Sequence, residues 1–245
     1  MKKMMRTFKP EKINRIIFKI SGEVLAGEKK FGLDLQRVNE ILSEIIELKK
    51  KGYSIGIVLG GGNFFRGASE IGSKINRHAA DNVGMLATIQ NAILLSGLLK
   101  VKNYPTEVYS AMQADRVAKF YTPDRAITSM NEGKICFFCA GTGNPYFTTD
   151  TAAVLRGIEL NADIIFKGTK VDGVYTGDPA KDKNAKFLRN VTFTEVLQKE
   201  LKVMDMTAFS LAREYNMPIK IFNINTPGNI KAAVLEKEVG TFVHA

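Results

Sequence analysis

The fold is decided by residues 15–63, which read RIIFKISGEVLAGEKKFGLDLQRVNEILSEIIELKKKGYSIGIVLGGGN. This segment opens with a strand-length apolar run at 15–20 and closes with a second one at 54–59. Between them, apolar residues recur every three or four positions from 35 to 48, the period of an amphipathic helix. The order strand, helix, strand predicts a βαβ unit with two parallel strands.

The same alternation continues to the end of the chain. Further strands are predicted near 106–110, 135–139, 163–167 and 219–224, and helices over about 77–99, 148–161 and 206–215. Residues 241–244 are predicted to add an edge strand. The pattern indicates an α/β protein, a three-layer α/β/α sandwich around a central, mainly parallel sheet. We expect one domain over residues 1–245, with residues 1–12 as a flexible, basic N-terminal extension.

The charge balance suits anionic partners. Lys and Arg outnumber Asp and Glu by 35 to 25, which gives a formal net charge of +10. A nucleic acid, an acidic membrane surface or a phosphorylated small molecule would all fit. The usual nucleic-acid-binding motifs are missing, so nucleic acid is not expected, although a basic regulator that binds it remains the alternative from a different class.

The distribution of apolar residues predicts a cytoplasmic protein. No apolar run approaches the roughly 18 residues that span a bilayer. The basic N-terminus is not followed by the apolar core of a signal peptide. We therefore expect no contact with a membrane.

The chain has two cysteines, Cys136 and Cys139, in a CxxC arrangement within a predicted buried strand. Residues three apart on a strand point to opposite faces, and the sequence offers no second Cys/His pair to complete a zinc site. We interpret both cysteines as core residues.

The familiar phosphate-binding motifs are also missing. Gly22 and Gly27 have the spacing of a P-loop, but Glu28 stands where its lysine belongs. The glycines at 60–62 and at 141–143 each lack the third glycine of a GxGxxG motif. These patterns exclude a P-loop kinase and a Rossmann dehydrogenase.

Instead, four polar segments contain glycine, and several of them follow predicted parallel strands: 19–23, 60–63, 141–150 and 167–179. Open α/β sheets bind ligands at the carboxyl ends of their strands. The backbone of 60–62 could turn its N–H groups toward phosphate oxygens, although a tight turn explains it equally well. In 141–150, polar side chains stand beside aromatic ones where a helix begins, which suits a planar base and its phosphate. Capping of that helix by Thr148 or Thr149 is the simpler alternative.

Together these segments resemble the amino-acid kinase superfamily and, over nearly the whole chain, its bacterial-type UMP kinase family. The similar motifs are KISGE (19–23), GGGNFFR (60–66), GMLAT (84–88), GTGNPYFTTD (141–150), KVDGVY (170–175) and KVMD (202–205). Single motifs are shared with aspartate, glutamate and carbamate kinases, so a kinase of another small acceptor stays open. The resemblance implies Mg²⁺-dependent transfer of the γ-phosphoryl group of ATP to UMP, giving ADP and UDP for pyrimidine nucleotide biosynthesis.

The resemblance also implies roles for individual residues. Catalytic roles fall to Lys19, Arg66, Asp150 and Lys167, with Asp150 orienting the lysines. Contacts with ATP fall to Lys19, Ile20, Ser21, Gly22, Gly62, Arg66, Thr169, Tyr175 and Asp178. Contacts with UMP fall to Gly61, Asp81, Thr142, Gly143, Asn144, Pro145, Tyr146, Phe147, Thr148 and Thr149. No protein ligand to a metal is implied: Mg²⁺ would come with ATP. Asp205 matches a family position, but a helix N-cap explains it at least as well, so it is not included.

The long helix predicted over 77–99 carries two apolar stripes. One comprises Val83, Leu86, Ala87, Ile93 and Leu94, and the other comprises Met85, Ile89, Ala92, Leu95 and Leu99. A surface helix needs one stripe, so two indicate burial on both sides, either within one protomer or at an interface. The family resemblance implies a homohexamer of dimers that pack through this region. Ile89→Glu or Leu95→Glu is expected to break it.

Overall fold

The computed structural model describes residues 8–29, 31–65, 74–177, 179, 181–182, 184–201, 203–236 and 238–245. The strands are β1 Arg15–Ile20, β2 Ser54–Leu59, β3 Thr106–Ser110, β4 Lys119–Phe120, β5 Ile135–Cys139, β6 Ile164–Thr169, β7 Val174–Tyr175, β8 Phe187–Leu188, β9 Asn190–Thr192, β10 Ile219–Asn223 and β11 Thr241–His244. The helices are α1 Gly22–Leu25, α2 Leu35–Lys50, α3 Arg77–Val101, α4 Pro123–Asn131, α5 Thr149–Glu159, α6 Phe193–Gln198, α7 Met206–Glu214 and α8 Asn229–Leu235. A 3₁₀ helix, Pro10–Lys12, precedes β1.

Within these ranges, nine strands form one sheet in the order β4-β3-β5-β2-β1-β6-β10-β11-β9. Its neighbouring pairs are parallel apart from β10 and β11. Strand β1 lies centrally and is buried at every position but the first, as expected for a parallel strand covered on both faces. Helices α2, α3 and α8 cover one face, and α4 to α7 cover the other. The predicted three-layer α/β/α sandwich is confirmed.

The structure differs from the prediction at the far end of the sheet. Residues 241–244 do form a strand, β11, but it is paired on both sides, because β9 lies outside it. The prediction of an edge strand at 241–244 is therefore wrong. Strand β9 has only three residues, too few to give a periodic pattern in the sequence.

The two cysteines lie in β5 and are free and buried. Cys136 belongs to the core on one face of the sheet, and Cys139 to the core on the other. Burial raises the pKa of both thiols to about 12, so both are protonated near neutral pH. Their positions agree with their interpretation as core residues.

Helix α3 is long and apolar enough, by length and composition alone, to cross a membrane. Polar residues such as Gln90 and Asn91 interrupt it, so it does not form a continuous apolar run in the sequence. Half of its most apolar stretch is buried inside the protein, and the helix packs on β2, β3 and β5. Packing on the sheet explains the apolar character of that side.

Part of the predicted N-terminal extension, residues 1–7, lies outside the described residues. Phe8 is buried, and its ring packs against Phe166 and Phe242 with centroids 6.3 and 5.7 Å away. The chain has therefore joined the core by residue 8.

Candidate active site

Two lysines lie side by side at the centre of the sheet. The parallel register of β1 and β6 pairs Lys19 with Lys167, so both side chains leave the same face. Helix α5 packs on this face, and its first turn supplies Asp150. The Nζ atom of Lys19 lies 2.8 Å from Oδ1 of Asp150, and Nζ of Lys167 donates a hydrogen bond to Oδ2. All three residues are less than 9% exposed, so two buried cations share one carboxylate.

The electrostatics of this cluster favour an anionic ligand. Burial by itself would raise the pKa of Asp150, but the two lysines outweigh it and hold that pKa below its usual value. Burial lowers the pKa of Lys167, and Asp150 opposes the effect. With both lysines protonated, the three residues carry one excess positive charge in a place with little water. Phosphate oxygens are suited to such a site.

The backbone at Asp150 is held by the N-cap of α5. The hydroxyl oxygen of Thr148 accepts hydrogen bonds from the N–H groups of Asp150 at 3.0 Å and Thr151 at 3.5 Å. The capping role expected for Thr148 or Thr149 is thus confirmed for Thr148. The positive end of the helix dipole therefore lies beside Asp150.

The glycine loops after β1 and β2 touch each other. A Cβ atom on Gly22 would lie 2.6 Å from the backbone nitrogen of Gly62, so only glycine permits this approach. The adjacent Asn63 is buried and exchanges side-chain hydrogen bonds of 2.7 and 2.9 Å with Asn91 of α3. Asn91 also donates to the carbonyl oxygen of Gly60 at 2.8 Å. Sequence reasoning missed Asn91, although a polar residue within an apolar helix was a usable signal.

The loop 141–148 is fixed against the start of α3. The N–H group of Tyr146 donates to Oδ2 of Asp81 at 2.7 Å, and Nε of Arg77 donates to both Asp81 oxygens at 2.8 Å. At the other end, the N–H group of Ala140 donates to the hydroxyl of Thr88 at 2.6 Å. Sequence reasoning assigned no role to Arg77 or Thr88, since neither contact is visible in the spacing of residues.

Two cavities adjoin near the carboxyl ends of the parallel strands. The first has a volume of about 580 Å³, within the range of roughly 300–1,000 Å³ typical of small-molecule sites. Its wall combines the lysine cluster with Thr148, Thr149, Glu200, Leu201, Val203, Met204, Asp205 and Met206. The second, of about 150 Å³, is lined by Gly61, Gly62, Phe65, Ala80, Asp81, Gly84, Met85, Thr88, Gly141, Asn144, Phe147 and Thr149. Thr149 lines both, so the cavities adjoin beside Asp150.

The predicted site residues divide between these places. Of the residues predicted for UMP, Gly61, Asp81, Asn144, Phe147 and Thr149 line the second cavity, and Thr148 and Thr149 line the first. Gly62, predicted for ATP, lines the second cavity instead of the first. Thr142, Gly143, Pro145 and Tyr146 belong to the loop beside the second cavity but do not line either one.

The other residues predicted for ATP that the structure describes line neither cavity. Ile20 ends β1, Ser21 is the N-cap of α1 and Gly22 its first residue, Thr169 ends β6, and Tyr175 lies in β7; none of them lines the two cavities. An ion pair of 2.8 Å between Glu23 and Lys170 joins the segments that follow β1 and β6. Arg66 and Asp178 lie outside the described residues.

Comparison with known proteins identifies the family of this chain. Residues 14–223 match the Amino acid kinase family. The chain belongs to the amino acid kinase family. It is 46% identical over 239 residues to a uridylate kinase of Pseudoalteromonas atlantica, covering 98% of this chain and 97% of that one. A uridylate kinase of Bacteroides thetaiotaomicron is 45% identical over 233 residues, 95% of this chain and 99% of that one.

The three-dimensional structure is also similar to solved structures of UMP kinases. A UMP kinase from Bacillus anthracis superimposes with a TM-score of 0.91 at 37% identity, covering 95% of this chain and 96% of that one. These similarities confirm the predicted resemblance and fold.

Proposed function

We propose that this member of the amino acid kinase family is a UMP kinase. It transfers the γ-phosphoryl group of ATP to UMP and yields ADP and UDP. The observation that carries the proposal is the buried Lys19–Asp150–Lys167 cluster where two cavities adjoin. Two substrates could meet there with a positive charge between them. Relatives named uridylate kinase, 45–46% identical over nearly the whole chain, support UMP as the acceptor.

The chemistry needs no general base. The second pKa of a phosphate monoester is about 6, so the attacking oxygen of UMP is already ionised near neutral pH. Catalysis then consists of aligning the two phosphates and neutralising the charge that develops on the transferred group. Lys19 and Lys167 would provide that neutralisation, and Asp150 would hold both ammonium groups in place.

We assign UMP to the second cavity and to the loop 142–149. Asp81 already accepts hydrogen bonds from Arg77 and Tyr146, but a carboxylate has about four lone-pair sites, which leaves capacity for ribose hydroxyls. Gly61 and Phe147 would border the same nucleotide.

We assign the phosphates of ATP to the lysine cluster and the glycine loops. The residues proposed for ATP are Lys19, Ile20, Ser21, Gly22, Gly62, Arg66, Thr169, Tyr175 and Asp178, and Arg66 is also proposed to be catalytic. Among the described residues, no group of three or more His, Cys, Asp or Glu side chains could hold a metal ion. Mg²⁺ is proposed to enter as part of the substrate, bound to ATP, where it would help neutralise the charge on the phosphates. We further propose that the enzyme works in the cytoplasm, in pyrimidine nucleotide biosynthesis, and that the chain forms one domain.

The test is ADP release, measured in a coupled assay with UMP, CMP, dUMP or aspartate as the acceptor. ADP release that depends on UMP supports the proposal. Release with aspartate alone would identify a kinase of a different acceptor. Affinity for duplex DNA that falls steeply with salt, without nucleotide turnover, would favour the basic regulator instead.

The apolar surface of α3 supports a homohexamer built through this helix. Met85, Ile89, Ala92, Leu95 and Leu99 are buried in the protomer, whereas Val83, Leu86, Ile93 and Leu94 are 39% to 51% exposed. Ala87 was predicted to belong to the same stripe as Val83, Leu86, Ile93 and Leu94, but it is buried. A contiguous row of exposed apolar residues is typical of a protein–protein interface. A closed symmetric assembly would bury this row.

Leu94→Glu is expected to break the assembly, because it places a charge in the exposed row. The mass in solution is to be measured by light scattering coupled to size exclusion. Glutamate at Ile89 or Leu95 would instead be buried in the protomer and unfold it, so these positions do not test assembly. Leu35→Glu, an exposed leucine on α2, is the matched control and should leave the mass unchanged. A wild-type protein that is fully active as a monomer of 27.1 kDa would refute the hexamer.

A further inference from the structure

Asp205 joins the starts of two helices. It is the N-cap of α7, where Oδ1 accepts a hydrogen bond from the N–H group of Ala208 at 2.8 Å. The same carboxylate accepts from two hydroxyls at the start of α5: Thr151 donates to Oδ1 at 3.0 Å, and Thr148 donates to Oδ2. Helix capping accounts for one of these three bonds and leaves the other two unexplained.

The bond from Thr148 determines how α5 is capped. A threonine hydroxyl has one proton and two lone pairs. Because the proton is directed to Asp205, the lone pairs of Thr148 are free to accept the N–H group of Asp150. Asp205 is thus connected, through one side chain, to the backbone of the residue that holds Lys19 and Lys167.

The charge of Asp205 also acts on the lysine cluster. It lines the first cavity together with Lys19, Asp150 and Lys167. The charged groups that face Lys167 are Lys19 of β1, Asp150 of α5 and Asp205 before α7. Burial lowers the pKa of Lys167 and Lys19 adds to this effect, while Asp150 and, to a smaller extent, Asp205 oppose it. Asp205 is partly exposed, whereas the Lys19–Asp150–Lys167 cluster, with its one excess positive charge, is buried.

We propose that Asp205 is a positioning residue for phosphoryl transfer, which holds Asp150 in place through Thr148 and lines the first cavity beside Lys167. The inference rests on the proposed UMP kinase function. It requires no contact between Asp205 and a substrate.

Asp205→Asn in the full chain is the variant that tests this role. Asparagine caps helices about as well as aspartate, so α7 should stay folded. We expect kcat to fall by about 10²-fold, the effect of displacing a catalytic group by about 1 Å, and to change more than either KM. The fall in kcat at high pH should begin at a lower pH than in the wild type, because Lys167 loses a facing anion.

Two further variants separate positioning from a structural role. Asp34 is the N-cap of α2, accepts from the N–H group of Arg37 at 3.1 Å and lines neither cavity, so Asp34→Asn is the matched control with unchanged kcat and pH profile. The double variant Asp205→Asn with Thr148→Val should lose less kcat than the product of the two single fold-losses, because both substitutions break the same hydrogen bond between Thr148 and Asp205.

Titration of Lys167 is followed by NMR of lysine-labelled protein, which does not depend on turnover. A Lys167 that titrates at lower pH in Asp205→Asn supports the inference. An unshifted Lys167, with kcat either normal or reduced equally at every pH, overturns it. A wild-type chain that does not phosphorylate UMP overturns the proposed function instead, and the NMR result still decides whether Asp205 acts on Lys167.

Discussion

Lys19→Ala is expected to lower kcat for UMP phosphorylation by about 10²-fold or more, the usual cost of removing one preorganised charge-stabilising group. Lys19 and Lys167 together exceed the charge of Asp150 by one. Without Lys19, the Asp150–Lys167 pair is neutral and remains satisfied, so the fold should persist while the excess positive charge is lost. Binding of UMP should change little, because its proposed cavity does not include Lys19.

Steady-state kinetics gives kcat, and calorimetry gives the dissociation constant of UMP. Lys231→Ala is the matched control: it removes a partly exposed lysine on α8 that pairs with Glu47 at 2.7 Å, away from both cavities. This control should keep the wild-type kcat. A near-normal kcat in Lys19→Ala would remove Lys19 from the mechanism.

The sequence was sufficient to predict the centre of the fold. Strands such as β1 and β2 are apolar runs of six residues, and α2 and α3 show clear helical spacing, so their patterns identify them. Many of the elements that were missed are very short: β4, β7 and β8 have two residues each, and α6 has six. The helices α4, of nine residues, and α8, of seven, were also missed. Tertiary contacts rather than local patterns define these elements.

The site was predictable where it depends on strand ends and missed where it depends on packing between distant segments. The parallel strands β1 and β6 place Lys19 and Lys167 side by side near their carboxyl ends, and the family resemblance predicted that Asp150 joins them. The contacts of Asn91 with the glycine loop and of Asp205 with Thr148 join residues 28 to 57 positions apart in the chain. Helix capping was a sufficient explanation of Asp205 until its position beside α5 was known.

The two stripes of α3 show a third limit. Both have helical spacing, and composition does not distinguish a stripe that faces the sheet from one that faces outward. The difference arises because β2, β3 and β5 cover only one side of the helix. Because of this difference, a substitution at the exposed Leu94 tests assembly, whereas substitutions at the buried Ile89 and Leu95 test the fold of the protomer.

CMP is expected to be a very poor acceptor, with a kcat/KM as much as roughly 10⁴ below that of UMP, because a site built to hydrogen-bond one polar edge rejects an analogue that leaves its groups unpaired. Uracil presents an N–H donor and a carbonyl acceptor where cytosine presents a ring-nitrogen acceptor and an amino donor. Asn144 lines the second cavity, and the hydroxyl of Thr142 is bonded to the Asn144 backbone at 3.2 Å. We expect these two side chains to pair with the uracil edge.

The discrimination is measured as the ratio of kcat/KM for UMP to that for CMP, in the wild type and in Asn144→Ala. Loss of the Asn144 amide should reduce the ratio chiefly by lowering the value for UMP, because CMP gains no new partner. Thr142→Ser keeps the hydroxyl and should keep most of the ratio, which makes it the matched control. Comparable values for CMP and UMP in the wild type would contradict the pairing and indicate a broader pyrimidine nucleotide kinase. An unchanged ratio in Asn144→Ala would show that other groups read the base.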